Sequence, residues 1–113
     1  MVRVGVNRLD SNFVFCFGLD ASHVPIIDVR SPAVPVATLP GHASISAAQW
    51  APHSAAHLMV ADQAGLVIWD LKGDLERPQW TLPLSPPVQF VWPSNATDSV
   101  AYMTSSQLCV TKI

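Results

Sequence analysis

The chain has 113 residues, 50% of them hydrophobic and only 12% charged, with a formal net charge of −2. These values exclude a disordered or highly charged segment, and the absence of clustered Lys and Arg argues against a nucleic-acid surface. The longest stretch without Asp, Glu, Lys or Arg, residues 31–61, is broken by four prolines and many polar residues, so no membrane helix is expected.

The opening MVRVGVNRLD has no apolar core followed by a small-residue cleavage site, so it does not read as a signal peptide. In it, Val2, Val4 and Val6 alternate with Arg3 and Gly5, which is the period of a strand. A first strand is expected near 2–7. NFVFCF at 12–17, aromatic and β-branched and ending at Gly18, gives a second. A third is expected near 23–29 and an outer one near 34–39. The next four fall near 44–50, 56–61, 66–71 and 78–82. The last three fall near 88–92, 98–103 and 107–113. The ten prolines lie mainly between these runs and leave no room for long helices. Alanine makes Ala43–Gln49 and Ala55–Leu58 look helical, but the repeat described next places strands there.

Ile26-Ile27-Asp28-Val29, Ile68-Trp69-Asp70-Leu71 and Val110-Thr111-Lys112-Ile113 each begin 42 residues after the one before, and Trp50 and Trp92 share that interval. Four short strands in about 40–45 residues is the period of a WD repeat, the unit of a β-propeller blade. The stretch Gly41–Asp70, opening on Gly-His and closing on Trp-Asp, is the fullest copy. The predicted fold is all-β, a partial WD-repeat propeller over 1–113 with nearly three antiparallel blades at about 1–39, 40–82 and 83–113.

In a WD blade, a His before the inner strand bonds a Ser or Thr on the second strand. That hydroxyl bonds an Asp in the next turn, and the network closes on the Trp of the third strand. Here His42 and Trp69 hold the ends, Ala61 stands at the Ser/Thr position, and Gln63 stands at the Asp position with Asp62 beside it. The blade network is therefore assigned to His42, Asp62, Gln63, Trp69 and Asp70, in an incomplete or rewired form. The other blades have Ile27 and Thr111 in place of Trp and are expected to hold by packing alone. Trp69 should be buried between blades, with His42 pointing at it.

Arg30-Ser31-Pro32, Pro35-Val36-Ala37, Leu39, His42, Trp50-Ala51-Pro52-His53-Ser54, His57 and Ile68-Trp69-Asp70 resemble one subfamily. It is the C-terminal part of the plant transparent testa glabra and light-regulated WD proteins and of their animal cullin-ligase-associated WD-repeat counterpart. The resemblance implies a seven-bladed, non-enzymatic scaffold in the nucleus and cytoplasm. Its partners would be transcription regulators of the MYB and helix-loop-helix classes, clock-related complexes, protein kinases or a ligase adaptor. The chain would supply fewer than half of the blades, as a C-terminal part or a truncated paralogue. Alone it should need the remaining blades or self-association, because its end faces are apolar.

Other chemistry is weakly signalled. His53 and His57 are four apart, but the residues between them lack a zinc-protease Glu and no third ligand is near, so no metal is assigned. The acidic residues are dispersed and form no carboxylate pair, and there is no nucleophile elbow or phosphate-binding loop, so no catalytic residue and no cofactor are assigned. Asn95-Ala96-Thr97 reads as a polar turn. Cys16 and Cys109 read as free core thiols rather than a disulfide. Asp28-Val29-Arg30 has the spacing of the Trp-Asp-x-Arg box, whose Arg contacts the adaptor of cullin ligases in many WD proteins. Arg30 is accordingly the candidate partner contact, and the alternatives to the transcription scaffold are a substrate-receptor role in a cullin-RING ligase or a truncated fragment with no independent function.

Overall fold

The fold follows from runs of alternating side chains too short for anything but strands, joined by turns rich in Pro, Ser and Asp. In the computed structural model, residues 2–18, 21–42, 44–84, 89–104 and 107–113 are described. Ala43, Asp20, Pro86, Pro87 and Val88, on which some expectations fell, lie outside them. The described residues form eleven strands and no helix. The first sheet is β1 (Val2–Val6), β2 (Phe13–Gly18), β3 (Val24–Asp28) and β4 (Ala37–Leu39). The second is β5 (Ala47–Trp50), β6 (His57–Asp62), β7 (Gly65–Asp70) and β8 (Trp80–Pro83). The third is β9 (Gln89–Val91), β10 (Ser99–Met103) and β11 (Leu108–Lys112). Each sheet is an antiparallel meander in chain order. The alanine-rich Ala47–Trp50 is strand, because its partner β6 and the cores on either side outweigh a weak helix propensity.

The middle blade shows why alternation is muted in its sequence. Both of its faces are covered, so its strands read as nearly continuous apolar runs. Leu58, Val60 and Trp69 pack toward the first blade, against Phe15, Phe17, Val24, Ile26 and Leu39. Met59, Ala61, Leu66 and Ile68 pack the other way, against Trp92, Val100 and Tyr102. The two cores are parallel slabs separated by one sheet.

Sheet register settles which residues correspond between blades. Trp50 pairs with Leu58 and Leu58 with Trp69. In the first blade the same row is Val6, Val14 and Ile27. Val2, Val4 and Val6 lie on the first blade's outer face and are exposed, as are Val91, Met103, Leu108 and Val110 on the third. The aromatic residues of these end blades, Phe15, Phe17 and Tyr102, turn inward against the middle blade instead. Cys16 and Cys109 are both free and half-buried. Cys109 packs against the second core as expected, whereas Cys16 pairs with the exposed Val4 on an end face, which corrects the core placement expected for it.

Candidate functional site

The polar centre of the molecule lies between the first two blades. Gly41 adopts φ +78°, a left-handed conformation that carries the chain off β4 and delivers His42 inward. The backbone N–H of His42 donates to the Ser22 carbonyl at 3.0 Å, and that of Ile45 to Ala21 at 3.0 Å, tying this segment to the preceding blade. Trp69, 2% exposed, donates its indole N–H to His42 Nε2 at 3.1 Å. An indole can only donate, so Nε2 is the acceptor and the proton of the neutral ring sits on Nδ1. Nδ1 lies 2.8 Å from Asp62 Oδ2 and donates to it. Asp62 Oδ1 accepts from the Ala64 N–H at 2.8 Å, closing the two-residue turn between β6 and β7.

Of the five network positions, the structure therefore brings together His42, Asp62 and Trp69. Gln63 is exposed on the turn. Asp70 is half-buried on the opposite end of β7. There it accepts from the Lys72 N–H at 3.0 Å and lies 3.9 Å from His57 Nε2. The physical reason is the tight turn. Asp62 is still paired with Gly65 as the last strand residue, so its side chain faces the first blade while Gln63 is carried out to solvent. Ala61 faces the other core, and Val60, the neighbour that shares the first-blade face with Asp62, offers no hydroxyl, so His42 reaches the carboxylate directly. Gly65 permits this turn: its φ is +135°, and a Cβ there would overlap the Leu82 carbonyl oxygen and lie 2.7 Å from Leu84 N.

The third blade does not hold by packing alone, contrary to the expectation from Thr111. The Gln49 amide donates to the Trp92 carbonyl at 2.9 Å and accepts from the Trp92 N–H at 3.0 Å, clamping blade two to blade three. The Trp92 indole donates to the Thr97 carbonyl at 2.9 Å. In the first blade, Asn7 donates to the Ala55 carbonyl at 2.9 Å while its own carbonyl oxygen accepts from Leu9, and Trp50 donates to the Gly5 carbonyl at 2.9 Å. Sequence reasoning placed Trp50 and Trp92 in the repeat but missed these bridges, whose amides, Asn7 and Gln49, have no motif of their own.

Arg30 is exposed on the turn after β3. Its Nε donates to Asp28 Oδ1 at 3.0 Å and its terminal nitrogen to Oδ2 at 2.8 Å, a bidentate fork. The hydrogen bonds from Arg30 hold the Asp28 carboxyl below its usual range, and the same bonds raise the Arg30 guanidinium. Two of five N–H groups are used, which leaves three on an exposed side chain. His57 accepts or donates at Nδ1 to Ser54 Oγ at 2.7 Å, and His53 lies edge-on to Trp92 with ring centres 5.4 Å apart. Among the described residues, no three His, Cys, Asp or Glu side chains group as metal ligands.

No family model matches the chain. Over its whole length it is 34% identical to the DDB1- and CUL4-associated factor 7 homolog of Dictyostelium discoideum, and it spans 37% of that protein. By structure it superposes on a chain of the mitotic checkpoint complex, a WD40 propeller, with a TM-score of 0.70 at 17% identity, covering 97% of this chain and 35% of the other. The first likeness is to one stretch of a longer relative, and the second shows the fold: the chain forms three successive blades of a β-propeller of the WD-repeat type.

Proposed function

We propose that the chain is part of a non-enzymatic scaffold that holds other proteins together. The observation that carries this reading is the full-length match to a relative whose name makes it an associated factor of DDB1 and CUL4. The architecture supports it. His42, Asp62 and Trp69 are buried and bonded to one another, so they serve packing rather than chemistry on a substrate. The loops between strands are left exposed on a rigid frame, the usual arrangement for partner binding. The resemblance to the plant proteins extends the proposal to MYB and helix-loop-helix regulators or clock-related complexes, in nucleus and cytoplasm.

A second reading, substrate receptor of a cullin-RING ligase, is favoured by Arg30. Its guanidinium is fixed in one plane by Asp28 and presents its remaining donors to solvent. Pull-downs with purified regulator domains and with purified DDB1 test the two together. Arg30→Ala is expected to abolish DDB1 capture and to leave regulator binding intact. Failure of the chain to hold any of these proteins, alone or with further blades supplied, would sink the scaffold reading.

A further inference from the structure

The leading strands of the three blades converge on a groove that enters none of the interactions described above as functional. It encloses about 610 Å³ and runs across all three blades, from Gly5 and Leu9 past Trp50 and Pro52 to Trp92 and Pro93. Its polar floor is already satisfied. Both ends of the Gln49 amide are taken by the Trp92 backbone, and the Trp50 indole is taken by the Gly5 carbonyl. What remains for a ligand is a mixed wall, with exposed apolar side chains at Val6, Leu9 and Val91 and the exposed Ser94, and one charge. Arg8 is the sole charged lining residue, it is exposed, and it joins none of the ion pairs formed among the described residues.

From this geometry we propose that the groove docks an extended, acidic segment of a partner protein, with apolar side chains along Leu9, Val91 and the half-buried Pro52 and Pro93, and a carboxylate on Arg8. The proposal rests on the scaffold reading and names its surface. Charge complementarity selects the occupant. A lining whose one charged residue is a cation, with no acidic residue beside it, discriminates against basic segments through like-charge repulsion. A single cation is a poor match for nucleic acid, whose binding draws on several phosphate contacts at once. The span across three blades suits an extended chain better than a compact small molecule.

The test uses a fluorescein-labelled hexapeptide alternating leucine and glutamate, its lysine counterpart, and an oligothymidylate, each titrated by anisotropy against the 113-residue chain. The glutamate peptide is expected to bind, to weaken with salt, and to lose about tenfold in affinity in Arg8→Glu. Arg77→Glu, a charge reversal outside the groove, should leave binding unchanged. Equal binding of the lysine peptide, tighter binding of the oligonucleotide, or indifference to Arg8→Glu would each overturn the proposal. So would a change in the sedimentation of the peptide-free chain on Arg8→Glu, which would mean that a second copy fills the groove. Loss of this peptide binding with retained capture of DDB1 or regulator domains would refute the groove and leave the scaffold reading standing.

Discussion

The two junctions between blades are built on different plans. Between blades one and two, hydrogen bonds run through the whole depth of the interface: Trp69 to His42 to Asp62 inside it, Trp50 to Gly5 and Asn7 to Ala55 along the leading strands. Between blades two and three, the body of the interface is apolar, with Met59, Leu66 and Ile68 against Val100 and Tyr102. There the cross-blade polar contact is the Gln49 clamp on Trp92 at the leading strand. Where the third strand carries Trp, a buried network of the middle blade is added to the leading-strand bonds; where it carries Thr111, the leading-strand clamp stands without one. A repeat protein can thus lose its consensus polar residues without losing polar cross-links, provided another strand end can reach across.

The strongest way to break this contrast is to attack the first junction. Trp69→Ala removes a fully packed indole and is expected to cost about 3–5 kcal/mol. His42→Ala leaves the buried Trp69 N–H without its acceptor and removes the His42 donor from Asp62 Oδ2, and is expected to cost about 3 kcal/mol. Denaturant unfolding followed by Trp fluorescence measures both. If His42→Ala proves nearly neutral, the network contributes geometry and not stability.

A smaller effect is expected at the second junction. Gln49→Leu removes one half-buried clamp and leaves the Trp92 backbone groups unpaired, at a cost of about 1–2 kcal/mol. The effect should be local. Hydrogen exchange should speed up in β9–β11 and stay unchanged in β1–β4, because the Gln49 clamp and the first core lie on opposite faces of the middle sheet. Equal acceleration in all three blades would mean that the junctions open together.

Much of this was legible before the structure. Alternation, turn composition and the 42-residue interval together placed the eleven strands, and Trp69 beside His42 followed from the repeat. The positions that escaped share a physical cause. Asn7 and Gln49 are ordinary amides at strand ends, and only sheet register shows that Gln49 stands where the first blade has Gly5. There the Phe15 ring covers the backbone, and a Cβ would collide with it. The choice of Asp62 over Gln63 turned on one residue of hairpin length, which composition does not encode. The alternation of Val2, Val4 and Val6 identified a strand, but their outward direction was set by Phe15 and Phe17, which claim the core side.

The smallest expected effect is on the exposed loop after the first blade's third strand, outside both junctions. Arg30 lowers the Asp28 carboxyl below its ordinary 3.8. A carboxyl held low in the folded state adds stability above its unfolded value, and that stability disappears as pH falls through the folded value. Wild type and Asp28→Asn should therefore differ near neutrality and converge as pH drops below 3.8. The pair is solvent-exposed, so the difference should be slight and should fade with added salt. Melting curves of the two forms from pH 7 to pH 2, at low and high salt, read this directly. Both forms can keep the hydrogen bond from the Arg30 backbone N–H, 2.9 Å long, so a difference that persists at the acid end would mean that the charge of Asp28 is not what separates them. An asparagine oxygen could accept that bond as well, so the two contributions separate cleanly in this one substitution.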